Sequence, residues 1–148
     1  MDVGCAMGFF SLPMAKMVGP GGKVFCIDLQ EKMIHKLYKR AKKKNLQKQI
    51  EARVCRKDSL NVRDINNSVD FILASAVVHE VPDSVSFFTE LYRITAEDGR
   101  LLVIEPGNRV SLQDFRTTVE TAVKSGFYLL DKSGTRNKHT ALFGKTPH

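Results

Sequence analysis

The residues that could do chemistry begin at the second position. Asp2-Val3-Gly4-Cys5-Ala6-Met7-Gly8 sets glycine, alanine and glycine at alternate places. Small residues let a backbone approach a ligand closely, and a helix opening directly behind them aims amide N–H groups at it. A dinucleotide loop requires G-x-G-x-x-G, but here the spacing is Gly4-x-Ala6-x-Gly8 and Phe9 stands where the last glycine would fall. Ala6 keeps the loop small yet resists positive φ, so ligand affinity is expected to fall if that residue must be left-handed. Twenty residues beyond Gly8, Asp28 follows the run Lys23-Val24-Phe25-Cys26-Ile27. A carboxylate there can accept two ribose hydroxyls, and by itself it serves equally well as a helix cap. Further on, His79-Glu80 is an acid–base pair whose histidine can take a proton near neutral pH. The other reading of His79 is a loop histidine bonded to the backbone. Glu105-Pro106 could face the same site or merely end a strand, and it reads as the latter.

These residues need a scaffold of alternating elements. Helical periodicity is expected near 9–18, 31–44, 84–95 and 111–124, and β-rich runs near 23–28, 50–55, 69–75, 100–105, 126–131 and 139–145. Gly19-Pro20-Gly21-Gly22 stops the first helix, Pro82-Asp83-Ser84 introduces the third, and Asp98-Gly99 turns into a strand. The alternation predicts a doubly wound, mostly parallel α/β sheet in one domain over 1–148. The last two runs, joined by residues 132–138, are close enough to pair as an antiparallel hairpin. A strand of about five residues should precede the glycine loop. Only Met1, Asp2 and Val3 are available, so the chain reads as shortened relative to a longer ancestor.

The loop with its leading acid, followed by Gly22-Lys23-Val24-Phe25-Cys26-Ile27-Asp28-Leu29, resembles the D-x-G-x-G-x-G pattern and second motif of class I, Rossmann-like S-adenosylmethionine-dependent methyltransferases. Ala6 departs from the usual middle glycine. The resemblance implies S-adenosylmethionine as cofactor, held by Asp2, Gly4, Cys5, Ala6, Gly8, Asp28 and Leu29. It also implies an acid after the third strand, matched by Asp58 in Lys57-Asp58-Ser59, with Ser59 beside it, although Asp58 reads as a turn residue too. Ala74, at the end of Val69-Asp70-Phe71-Ile72-Leu73-Ala74, leads into the segment where small-molecule members of the family line the methionine end and the acceptor pocket. His79 lies there and is the candidate catalytic residue. The same segment lacks the N/D-P-P-Y/F sequence of amino-methylating nucleic-acid enzymes, and no cysteine follows Cys55. Base methylation and arsenic chemistry are therefore not assigned, and a small-molecule methyl acceptor is expected. The alternatives are a binding module without turnover and RNA-directed methylation.

Composition limits the partners. The formal charge of +7 resides in residues 31–48, where Lys32, Lys36, Lys39, Arg40, Lys42, Lys43, Lys44 and Lys48 face Glu31 alone. Met33, Ile34, Leu37, Tyr38 and Ala41 form an apolar stripe in the same segment, so the charges read as a solvated helix face, with nucleic acid as the other possible partner. Apolar runs are too short to span a bilayer and no signal segment precedes them, which reads as cytoplasmic. Three cysteines, Cys5, Cys26 and Cys55, without paired spacing argue against disulfides and structural zinc, and the histidines are too scattered for a metal site.

Overall fold

A computed structural model describes residues 1–145. The chain divides into two compact units, Met1–Arg56 and Lys57–His148.

The first unit holds β1 (Asp2–Val3), α1 (Ser11–Val18), β2 (Val24–Asp28), α2 (Glu31–Lys43) and β3 (Ile50–Val54). Strand β2 pairs in parallel with β1, Asp2 opposite Cys26 and Val3 opposite Ile27, and with β3 from Val24 opposite Ile50 to Asp28 opposite Val54. The expected stub of a first strand is thus present as two paired residues. Helix α1 ends where Gly19 takes a φ of 71°, as the glycine–proline stop predicts. In α2 the apolar stripe turns inward through Ile34, Leu37 and Ala41, which join Cys5, Leu12, Ala15, Val24, Cys26 and Ile50 in one buried cluster. The eight cationic side chains of residues 31–48 all lie exposed, as a solvated face requires. Tyr38, half out of the stripe, accepts a hydrogen bond from the Ala52 amide of β3 at 3.0 Å.

The second unit contains β4 (Val69–Ser75), a single 3₁₀ turn (Val78–Glu80), α3 (Ser84–Ile94), β5 (Thr95–Pro106), α4 (Leu112–Lys124), β6 (Tyr128–Thr135) and β7 (Lys138–Gly144). Strands β4 and β5 are parallel, while β7 runs antiparallel to both β5 and β6. The parallel pairs and the terminal hairpin give the mixed α/β sheet pattern expected from the sequence. Asp83 caps α3 by accepting the Ser86 amide, and Ser111 caps α4 by accepting the Asp114 amide. Phe88, Leu91, Ile94, Leu101, Val103, Phe127 and Phe143 fill the core of this unit.

Two boundaries differ from expectation. Strand β5 begins at Thr95, before Asp98-Gly99, because Thr95 pairs with Val69 across an irregularity in the ladder between Val69 and Phe71. That irregularity takes up the polar residues that read as a turn. Strand β6 continues through Lys132-Ser133-Gly134-Thr135, which the composition presents as a connection, and only Arg136 and Asn137 remain between the strands. Every residue of β6 is exposed, so cross-strand hydrogen bonding to β7 rather than apolar burial holds it extended.

Candidate functional site

The glycine loop is fastened before it can meet a ligand. The Gly4 and Cys5 amides both donate to the Ile27 carbonyl, at 2.8 and 3.0 Å, and Arg40 of α2 donates to the Met7 carbonyl at 2.8 Å. Asp2 is buried, and the Ser11 hydroxyl donates to its Oδ2 at 2.5 Å, tying β1 to the first residue of α1. Burial pushes the Asp2 carboxyl above its ordinary range, against the opposing pull of the Ser11 hydrogen bond. Asp2 therefore braces the loop from below. Gly8 takes a φ of 89°, and a Cβ there would lie 2.3 Å from Leu37 Cδ1, a fully buried atom group of α2. The glycine lets the loop rest on the helix.

Ala6 does adopt the left-handed region, with a φ of 44°. That conformation turns its amide onto Asp28, which accepts it on Oδ2 at 2.8 Å while Oδ1 accepts the Gln30 amide at 2.8 Å. The strand-end carboxylate thus sets the loop and starts α2 at once. Each carboxylate oxygen has capacity for a second hydrogen bond, and Asp28 is only half-buried. The adjoining Leu29 is 48% exposed, and Phe9, next to Gly8 in the loop, is 75% exposed and edge-on to Phe10. Acceptor capacity beside exposed apolar side chains suits a ligand with paired hydroxyls and a flat ring, so the residues present fit S-adenosylmethionine.

In the second unit, β4 ends on Ser75, next to the buried Ala74, and the chain then bends through Ala76, another left-handed alanine with a φ of 54°. Among the described residues, the remaining non-glycine residues with positive φ are the asparagines Asn45, Asn61 and Asn67, which tolerate it. Left-handed alanines are costly and collect where a loop must hold a particular shape. Here the bend presents the Val77 and Val78 amides to Glu105 Oε1 at 3.2 and 2.9 Å, while Glu105 Oε2 lies 2.5 Å from His79 Nδ1.

Glu105 is therefore more than the end of a strand. It is fully buried, and its partners are two backbone amides and an imidazole. Period-two alternation along β5 carries the signal: Leu101, Val103 and Glu105 share a face, and all three are completely buried. His79 pairs with this carboxylate and not with the backbone. Its side chain keeps 20% exposure, and Nε2 stands 3.9 Å from Glu80 Oε1, which is also 3.9 Å from Arg109. Asp58 is exposed, while the neighbouring Ser59 hydroxyl donates to Glu90 Oε1 and the Leu60 amide to Glu90 Oε2. Sequence reasoning gave Ser11, Arg40, Ala76 and Glu90 no role, since each acts through a partner distant in the chain.

No group of histidine, cysteine and acidic residues among the described residues could hold a metal ion. Cys5 and Cys26 are buried free thiols that donate to the Ala6 and Val24 carbonyls, and the neighbouring Cys26 thiol together with burial pushes the Cys5 thiol up. No helix among the described residues is long and apolar enough to cross a membrane.

A family model described as a methyltransferase domain matches residues 1–138. The chain belongs to the methyltransferase domain family. This methyltransferase domain is 30% identical over 105 residues to a demethylmenaquinone methyltransferase of Lactobacillus johnsonii, a match covering 71% of the chain and 42% of that relative. It is also 30% identical over 122 residues to an arsenite methyltransferase of Halobacterium salinarum, covering 82% of the chain and 27% of the relative. The chain thus spans less than half the length of these curated relatives. Among solved structures, a SAM-dependent methyltransferase from Aquifex aeolicus superposes with a TM-score of 0.83 at 22% identity, covering 98% of the chain and 80% of the other. The fold of this domain is accordingly the Rossmann-like fold of that class.

Proposed function

We propose that this domain binds S-adenosylmethionine through the Gly4–Gly8 loop and Asp28 and transfers its methyl group to a small-molecule acceptor, with His79 as the acid–base residue. The observation that carries the reading is the geometry of Asp28. Its two oxygens fix the loop and the following helix through the Ala6 and Gln30 amides, yet retain acceptor capacity on a half-exposed side chain. In this reading Asp28 takes the ribose hydroxyls, Leu29 offers apolar surface to the adenine, and Gly4, Cys5, Ala6 and Gly8 give the backbone its close approach, with Asp2 supporting them. The family pattern adds Asp58, Ser59 and Ala74 of the second unit. Of these Asp58 is exposed, Ser59 is engaged by Glu90, and Ala74 offers backbone alone.

The donor, once bound, supplies a sulfonium-activated methyl group. Transfer needs an acceptor lone pair aligned with that methyl, so positioning provides much of the rate. An acceptor that carries a proton also needs a base; in this reading His79, held by Glu105, is that base, and the contact with Glu105 supports it. The names of the curated relatives agree with methyl transfer to small molecules and leave the acceptor of this domain open.

Titration calorimetry with S-adenosylmethionine and S-adenosylhomocysteine tests the reading. Both should bind, and Asp28→Ala should weaken both by at least about tenfold, the loss of one or two hydrogen bonds to a charged group. Absence of binding at millimolar ligand, or an Asp28→Ala variant that binds like the wild type, overturns it.

A further inference from the structure

Glu105 has two features that a structural carboxylate at a strand end does not need. It is fully buried, and one of its oxygens is reserved for an imidazole whose ring remains partly exposed. We infer that Glu105 is a positioning residue that fixes His79 as the Nδ1–H tautomer, leaving a lone pair on Nε2 for an acceptor that must lose a proton from the atom being methylated. This rests on the methyl-transfer reading above and goes beyond it by naming the second member of a dyad and the class of acceptor.

The donor count decides the tautomer. Oε1 of Glu105 accepts two amides, from Val77 and Val78, and Oε2 meets Nδ1 at 2.5 Å. Three N–H groups converging on one side chain are what an ionised carboxylate, an acceptor only, takes up. Nδ1 must then carry the hydrogen, and in the neutral ring Nε2 is the acceptor. The left-handed bend at Ala76 belongs to the same device, because it lines up the amides of residues 77 and 78 and so fixes the loop on which the ring sits.

The chemistry follows from that orientation. Nε2 takes the proton from an acceptor X–H, and the electron pair left on X forms the bond to the methyl carbon. The methyl–sulfur bond of the donor breaks with its electron pair retained by sulfur. The proton rests on an imidazolium that faces the Glu105 carboxylate, and it is passed to solvent afterwards. Phenols, hydroquinones and thiols fit this requirement; a thioether acceptor, which has no proton to lose, leaves the dyad without work.

Glu105→Gln separates positioning from support. A carboxamide oxygen can keep accepting the Val77 and Val78 amides, while its NH₂ group donates to Nδ1 and drives the ring proton to Nε2. Long-range ¹H–¹⁵N spectra of the histidine-labelled chain in alkaline buffer read the tautomer without any ligand. The wild type should show a protonated Nδ1 and a bare Nε2, and E105Q the reverse. Urea unfolding and S-adenosylhomocysteine binding should stay close to wild type. With a panel of phenols, hydroquinones and thiols, kcat should fall by about 10²–10⁴-fold at nearly constant KM. A wild-type ring protonated on Nε2, a tautomer unmoved in E105Q, or an E105Q turnover equal to wild type overturns the dyad. Wild-type transfer that prefers a proton-free thioether, or no transfer to any member of the panel, overturns the acceptor class. Failure of the wild type to bind S-adenosylhomocysteine is a separate result and strikes the methyl-transfer reading, whatever the tautomer.

Discussion

Asp28 and Glu105 each stand at the carboxyl end of a parallel strand, β2 and β5, and each gathers two backbone amides onto its carboxylate. Their surroundings then diverge. Asp28 is half-buried, with unfilled acceptor capacity, whereas Glu105 has no exposed surface and gives its remaining oxygen to His79. The same chemical group near the ends of two strands thus keeps acceptor capacity open to water in one unit and braces another side chain in the other. Burial makes the difference, because a carboxylate out of water must be satisfied by protein while one in contact with water can exchange water for a ligand.

The comparison breaks most visibly on removal of the carboxylates. Glu105→Ala leaves the Val77 and Val78 amides and His79 Nδ1 without their acceptor in a buried place, and should cost about 3 kcal/mol in denaturant unfolding. Asp28→Ala, whose amides water can reach, should cost about 1 kcal/mol in the same experiment. Equal losses at the two positions would mean that burial does not distinguish them. Next in size is Ala6→Gly. Relief of the left-handed φ should raise stability by about 0.5–1 kcal/mol without weakening S-adenosylhomocysteine binding, and a destabilised Gly variant would show that Ala6 carries no strain.

The smallest effect concerns Asp2, a third carboxylate that is buried yet holds a hydroxyl. Its folded-state pKa lies above the ordinary 3.8, chiefly through desolvation. Between those two values the native chain retains a proton that the unfolded chain releases, so stability gains as pH falls through that window and the penalty is complete above it. Asp2→Asn removes the charge while keeping an acceptor for Ser11. Its stability advantage over wild type should be greatest at neutral pH and shrink on acidification in urea titrations; an advantage that grows instead would reverse the assignment.

Much of the frame was legible along the chain. The alternation of apolar runs placed the four helices and the strands after β1, because periods of two and 3.6 are written into any segment that must bury one face. The stripe of Ile34, Leu37 and Ala41 located the inner side of α2 and freed the lysines to water. What escaped was pairing at a distance. Polar residues at 98–99 and 132–135 look like turns and became strand: the first lie between Thr95, paired with Val69, and Arg100, paired with Phe71, and the second pair with β7, which outweighs local preference.

The sequence by itself determined the spacing of the glycine loop, the acid at the end of β2 and hence the family, because loop, strand and helix are contiguous and their geometry is local. Tertiary structure alone decided what the other carboxylates do. His79 and Glu105 are 26 residues apart, and Asp2 reaches Ser11 across the loop. A side chain's role as ligand, brace or base depends on which neighbours the fold brings to it and on how much water it leaves.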